Sequence, residues 1–167
     1  ADTYRNYLNL IADAQNEIPE KFDNVSTVLF NHSMGNRMVK HMLLDSSASR
    51  ITLNVDRMVL NAACVPSKNH NEWVEKIDFA NEVIINYNED DFQLNGASVL
   101  TLSRMLGVNP DDELAKNAQY VDMNPSLGRL HSSFINIPDR EPIDSKVFDY
   151  YNHLFNAKQF NNQFIPN

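Results

Sequence analysis

Residues 25–44 read Val-Ser-Thr-Val-Leu-Phe-Asn-His-Ser-Met-Gly-Asn-Arg-Met-Val-Lys-His-Met-Leu-Leu. The apolar run from Val25 to Phe30 stops at Asn31-His32-Ser33-Met34-Gly35, and an amphipathic pattern follows at once. Met38, Val39, Met42 and Leu43 fall on one face at helical spacing. This predicts a strand, a sharp turn and a helix, with Ser33 at the apex. A serine in that position stands above the end of a sheet. The backbone N–H groups that open the helix are free to face an anion.

The rest of the chain repeats the alternation. Thr3 to Ile18 suits a helix, with Tyr7, Leu8, Ile11, Ala12 and Ala14 at helical spacing and Pro19 ending it. A second strand is expected over Arg57–Ala63, a third over Glu82–Tyr87 and a short fourth over Tyr120–Met123. Helices are expected over Gly35–Leu44, Asn69–Ala80, Gly96–Leu106 and Ser145–Phe155, and the polar stretch from Asp45 to Asn54 reads as a loop. Strands separated by helices imply βαβ units and a mostly parallel sheet flanked by helices. No linker divides residues 1–167, so one domain is expected.

Composition narrows the classes. With 167 residues and 43% hydrophobic content, the chain is long and apolar enough to bury a core. A net charge of -8 argues against nucleic-acid partners, which select basic surfaces. No apolar run approaches the roughly 18 residues of a membrane span. Cys64 is the one cysteine, so no internal disulfide forms. There is no His-Glu-x-x-His and no cysteine pair, and only four glycines, too few for a phosphate-cradling loop.

In parallel α/β sheets, working groups collect beyond the carboxyl ends of the strands. Ser33 follows the first strand. Glu89, Asp90 and Asp91 form an acidic turn after the third. His131 lies in the loop after the fourth. A serine nucleophile needs a base to take its proton and an acid to orient that base. These residues supply all three types, and Asp91 is the preferred acid. His41 and His153 sit on expected helices, His70 at a helix start, and His32 next to Ser33, where the turn is expected to point it elsewhere to pack. The other Ser-x-Gly, Ser126-Leu127-Gly128, has no apolar helix after it and reads as a turn. The Met34 N–H is the candidate oxyanion donor. A second donor normally comes from a loop after an earlier strand, and no strand is expected before residue 25.

Three blocks resemble an uncharacterised family of bacterial α/β-hydrolases, often labelled only as domains of unknown function. They are His32-Ser33-Met34-Gly35-Asn36-Arg37, then Tyr87-Asn88-Glu89-Asp90-Asp91-Phe92-Gln93-Leu94 with its Asn-x-x-Asp-x-x-Leu pattern, and Tyr120-Val121-Asp122 followed by Gly128-Arg129-Leu130-His131-Ser132-Ser133-Phe134. The likeness covers about residues 25–135. The order Ser, Asp, His is that of α/β-hydrolases, and the first block is similar to their nucleophile elbow, with Asn31 in place of the first glycine of Gly-x-Ser-x-Gly. The resemblance implies Ser33, Asp91 and His131 as a catalytic triad, Met34 in the oxyanion hole, an ester or related acyl substrate, and no cofactor. It also implies an eight-stranded sheet of which this chain supplies about the last four strands. The chain is therefore expected to be a carboxy-terminal portion whose earlier strands lie on a preceding segment or a partner chain. Bacterial cytoplasm and export are both open.

Two rivals accompany this reading. A binding or scaffold protein could keep the fold without the activity, as Asn31 and the expected missing half suggest. A flavodoxin-like ligand-binding domain is disfavoured by the scarcity of glycine at strand ends.

Overall fold

The computed structural model describes residues 2–45, 50–110, 113–132, 134–135 and 144–156. Four strands, β1 (Val28–His32), β2 (Val55–Asn61), β3 (Ala80–Tyr87) and β4 (Ala118–Asp122), form one parallel sheet in the order β1-β2-β3-β4. The protein is thus of the α/β class. The register aligns His32 with Asn61 and Asn61 with Asn86, so the carboxyl ends of three neighbouring strands finish at one level.

Both faces of the sheet are covered, which is why the central strands lack polar alternation. On one face, Met58, Leu60, Val83 and Ile85 pack with Val39 of α2 (Gly35–Leu44) and Trp73 of α3 (Asn71–Val74). On the other, Val59, Ile84 and Val121 pack against Val147, Tyr150, Tyr151 and Leu154 of α6 (Ser145–Phe155). The buried Arg57 pins α6 to β2. It pairs with Glu82 at 2.6 Å and donates to the Leu154 carbonyl at 2.9 Å, in the last turn of the helix. The amino-terminal helix α1 (Asp2–Glu17) buries Leu8 and Ala12 against Met42 of α2.

The expected helices over 35–44 and 145–155 have the observed bounds. Others differ for local reasons. The helix expected over 69–80 shrinks to α3, because Asn69 takes a left-handed φ of 58° and Asn117 Nδ2 bonds the Val74 and Ile77 carbonyls. From Ala80 the chain is already β3. The helix expected over 96–106 starts earlier, as α4 (Phe92–Thr101), because Asp91 caps it, and it ends where Leu102 turns left-handed at φ 52°. The first strand lies later than the apolar run, reaching His32, because Asn31 and His32 still pair with β2. The turn expected at Ser126 is a short helix, α5 (Asn124–Leu127), closed by Gly128 at φ 49°. Residues 46–49 of the expected loop, and Ser133 of the histidine block, lie outside the described residues.

Candidate active site at the carboxyl edge of the sheet

Ser33 directly follows β1 and adopts φ 49°, the left-handed region that a non-glycine residue occupies only when its surroundings hold it there. The holding contacts are visible. Its N–H donates to the Asn61 carbonyl at 3.0 Å, and its own carbonyl accepts the Cys64 N–H at 3.2 Å, so the β1–β2 ladder grips it on both sides. Asn36, fully buried in the first turn of α2, donates its side-chain amide to the carbonyls of Asn31 and Ser33, each at 3.1 Å. Met34 lies between Ser33 and α2 with an exposed side chain, and its N–H is among those that open the helix.

Asn31 finds a structural use. It is buried against α1 and accepts the Tyr4 hydroxyl at 2.9 Å. It thereby ties the helix to the strand below the turn, and Ser33 carries the strained backbone angle without help from a glycine at 31. A Cβ added at Gly35 meets nothing within 4 Å among the described residues.

Asp91 and His131, 40 residues apart in sequence, meet. His131 Nδ1 lies 2.6 Å from Asp91 Oδ2, with the Asp91 side chain 1% exposed and that of His131 7%. Asp91 Oδ1 accepts the Leu94 N–H at 3.0 Å, so one carboxylate caps α4 and holds the imidazole. With Nδ1 donating to Asp91, Nε2 of a neutral His131 carries the lone pair that a general base uses. Glu89 and Asp90 are exposed and do not contact His131 among the described residues; Glu89 instead accepts from Asn109.

Asn88, one residue past β3, anchors the histidine loop. Its Nδ2 donates to the carbonyls of Gly128 at 2.8 Å and Leu130 at 3.2 Å, and its N–H donates to the Gly107 carbonyl at 2.9 Å. The Asn-x-x-Asp-x-x-Leu pattern thus has a physical content. Asn88 holds the loop, Asp91 holds the ring, and Leu94 supplies the capped N–H and a buried anchor.

The sequence reading sends the His32 ring away from the site. The structure places it against His131, with ring centroids 4.7 Å apart and planes at 47°. Asn61 Nδ2 donates to His32 Nδ1 at 3.1 Å. Burial, then the nearby His131, lower the His32 pKa to about 4, with Asp91 opposing the shift. His70 likewise departs from the expected capping role. It is fully buried, bonded through Nδ1 to the Ser67 carbonyl at 2.8 Å and through Nε2 to the Tyr120 hydroxyl at 2.6 Å. His41 is exposed on α2, and His153 is half-buried in the last turn of α6. Ser126, inside α5, has no part in the cluster described above.

A small hollow beside the pair is lined by Asn61, Asn86, Asn88, Asp91, His131 and Tyr151. Among the described residues no three His, Cys, Asp or Glu side chains converge as a metal site requires, and no helix is long and apolar enough to cross a membrane. Comparison with family models, with curated proteins and with solved structures returns no significant match.

Proposed function

We propose that the chain is a serine hydrolase on an α/β-hydrolase scaffold, acting on an ester or related acyl bond. Ser33 Oγ attacks the substrate carbonyl while His131 Nε2 takes its proton. His131 then gives that proton to the leaving group, and water reverses the sequence to free Ser33 from the acyl group. Asp91 keeps the His131 proton on Nδ1 and steadies the imidazolium that forms. The Met34 N–H faces the developing oxyanion. The buried Asp91–His131 pair, on loops at the same carboxyl edge of the sheet as the left-handed Ser33 though not hydrogen-bonded to it, is the observation that carries this reading.

The reading also expects further strands beyond β1, on a preceding segment or a partner chain, to bring a second oxyanion donor. Losing one such donor costs about 3–4 kcal/mol, or roughly a hundred- to a thousandfold in rate. A catalytically silent scaffold is the competing reading, and the unpaired outer side of β1 among the described residues favours it. A fluorophosphonate probe separates the two. It is expected to modify Ser33 in the wild-type chain and leave Ser33→Ala untouched. A folded wild-type chain that stays unmodified, alone and with any strand-supplying partner, removes the hydrolase reading.

A further inference from the structure

A hydrogen bond from Nδ1 to a carboxylate fixes one atom of His131 but leaves its ring free to swing about that bond. Something else must set the plane. On the side of β1, the ring that meets His131 is His32, 4.7 Å away, itself backed by Phe134 at 4.8 Å.

We propose that His32 is a positioning residue for His131, a neutral imidazole locked with its proton on Nε2 whose ring holds the His131 ring in the orientation that proton transfer from Ser33 requires. The proposal rests on the hydrolase reading and names how its base is held.

The lock begins in α6. The Tyr150 hydroxyl donates to Asn86 Oδ1 at 2.5 Å. Asn86 Nδ2 donates to Asn61 Oδ1 at 2.9 Å, and the Tyr151 hydroxyl donates to the same oxygen at 2.8 Å. Two donors on its oxygen orient the Asn61 amide, so its NH2 faces His32 Nδ1. An NH2 group cannot accept, so Nδ1 must carry a lone pair and the ring proton sits on Nε2. The aligned register of His32, Asn61 and Asn86 lets this chain of bonds cross three strands at one level.

The charge state matters as much as the tautomer. The titratable groups around His32 are His131 from the loop after β4, Asp91 from the turn after β3, and Tyr151 of α6 acting through Asn61. When His131 takes the serine proton, a second cation in ring contact would oppose it, and a neutral ring does not. Burial, which lowers the His32 pKa to about 4, keeps the ring neutral near pH 7.

Two measurements test this. Long-range proton–nitrogen NMR of histidine-labelled wild-type chain should show His32 neutral with a protonated Nε2 at pH 7, and contacts between the His32 and His131 ring protons. Fluorophosphonate modification of Ser33, followed against pH and normalised to folded protein, should slow about ten- to a hundredfold in His32→Ala, the scale of a misplaced catalytic group. Its acid limb should not move. His32→Phe keeps a ring while losing the Asn61 bond, and should recover most of the rate. The proposal is overturned by a His32 protonated on Nδ1 or charged at pH 7, by missing ring contacts, by wild-type reactivity in His32→Ala, or by failure of His32→Phe to recover it. If the wild-type chain resists the probe, the hydrolase reading falls, while the NMR arm still decides whether the two rings are held together.

Discussion

Asp91 carries two hydrogen bonds that can be separated by substitution. Asparagine caps helices as well as aspartate does, so Asp91→Asn should keep the Leu94 bond and change stability by less than about 1 kcal/mol. It should still slow probe modification of Ser33 by about 10⁴-fold, since the amide no longer enforces the His131 tautomer. Asp91→Ala should add a stability loss of about 1–2 kcal/mol, visible in urea unfolding. Equal reactivity of Asp91→Asn and wild type would leave Asp91 as a cap alone. His32 adds a pH signature. Unfolded histidine binds its proton near pH 6.5, whereas folded His32 does so only near 4. Between those values the unfolded state holds more protons, so this contribution is complete above about pH 6.5 and is lost as pH falls towards 4. The urea midpoint of wild type should therefore drop more from pH 7 to pH 4.5 than that of His32→Phe, and parallel losses would refute the assignment. Ser33, Asp91 and His131 were legible as candidates because each follows an apolar strand. His32, Asn61 and Asn88 were not, because their roles depend on which strands lie side by side and in what register, a relation that no local spacing carries.

Among the elements, those with strong amphipathic periodicity were legible to within a residue or two, as α1, α2 and α6 show. The misplaced bounds of α3 and α4 trace to single side chains, Asn117 on the α3 carbonyls and Asp91 on the α4 amide, which act from outside the periodic pattern. The loop after α4 depends on another local feature. A Cβ on Gly107 would lie 2.3 Å from the Ala63 nitrogen and 2.4 Å from the Ala62 carbonyl carbon, where the contact is with backbone that cannot rotate away. Gly107 also accepts the Asn88 N–H at 2.9 Å, so the same contact seats the residue that anchors the histidine loop. Gly107→Ala is expected to cost about 3 kcal/mol, the upper part of the usual overpacking range, and to slow Ser33 modification in the molecules that remain folded. Gly96→Ala is the control. It lies within α4 with nothing within 4 Å of the added carbon, so it should gain about 0.5–1 kcal/mol and leave reactivity unchanged. Chemical denaturation beside probe kinetics reads both, and a neutral Gly107→Ala would show that the loop has room to shift.

At the scale of the whole molecule, the sheet places Ser33 after β1, one of its two edge strands among the described residues. Among the described residues β1 pairs with β2 and with no other strand. The parity of that pairing is fixed at both ends. The Ser33 N–H donates towards Asn61, and the Thr27 carbonyl accepts from Asp56 and Arg57. Odd-numbered residues of this segment therefore turn their peptide groups to β2, and the amides of Phe30 and His32 face the other way. Edge strands with free peptide groups recruit further strands unless something blunts them. Three of the five β1 residues are apolar, and the strand carries no charged lysine or proline to discourage pairing. Hydrogen exchange of the dilute chain should find the Phe30 and His32 amides exchanging well ahead of Leu29 and Asn31. Raising the chain concentration, or adding a segment that supplies the neighbouring strand, should protect Phe30 and His32 together and leave Leu29 and Asn31 as they were. Uniform protection of all four in a dilute monomer would mean that the outer side of β1 is already occupied. The second oxyanion donor would then have to be sought within this chain, and the expectation of a separate strand-bearing segment would fail with it.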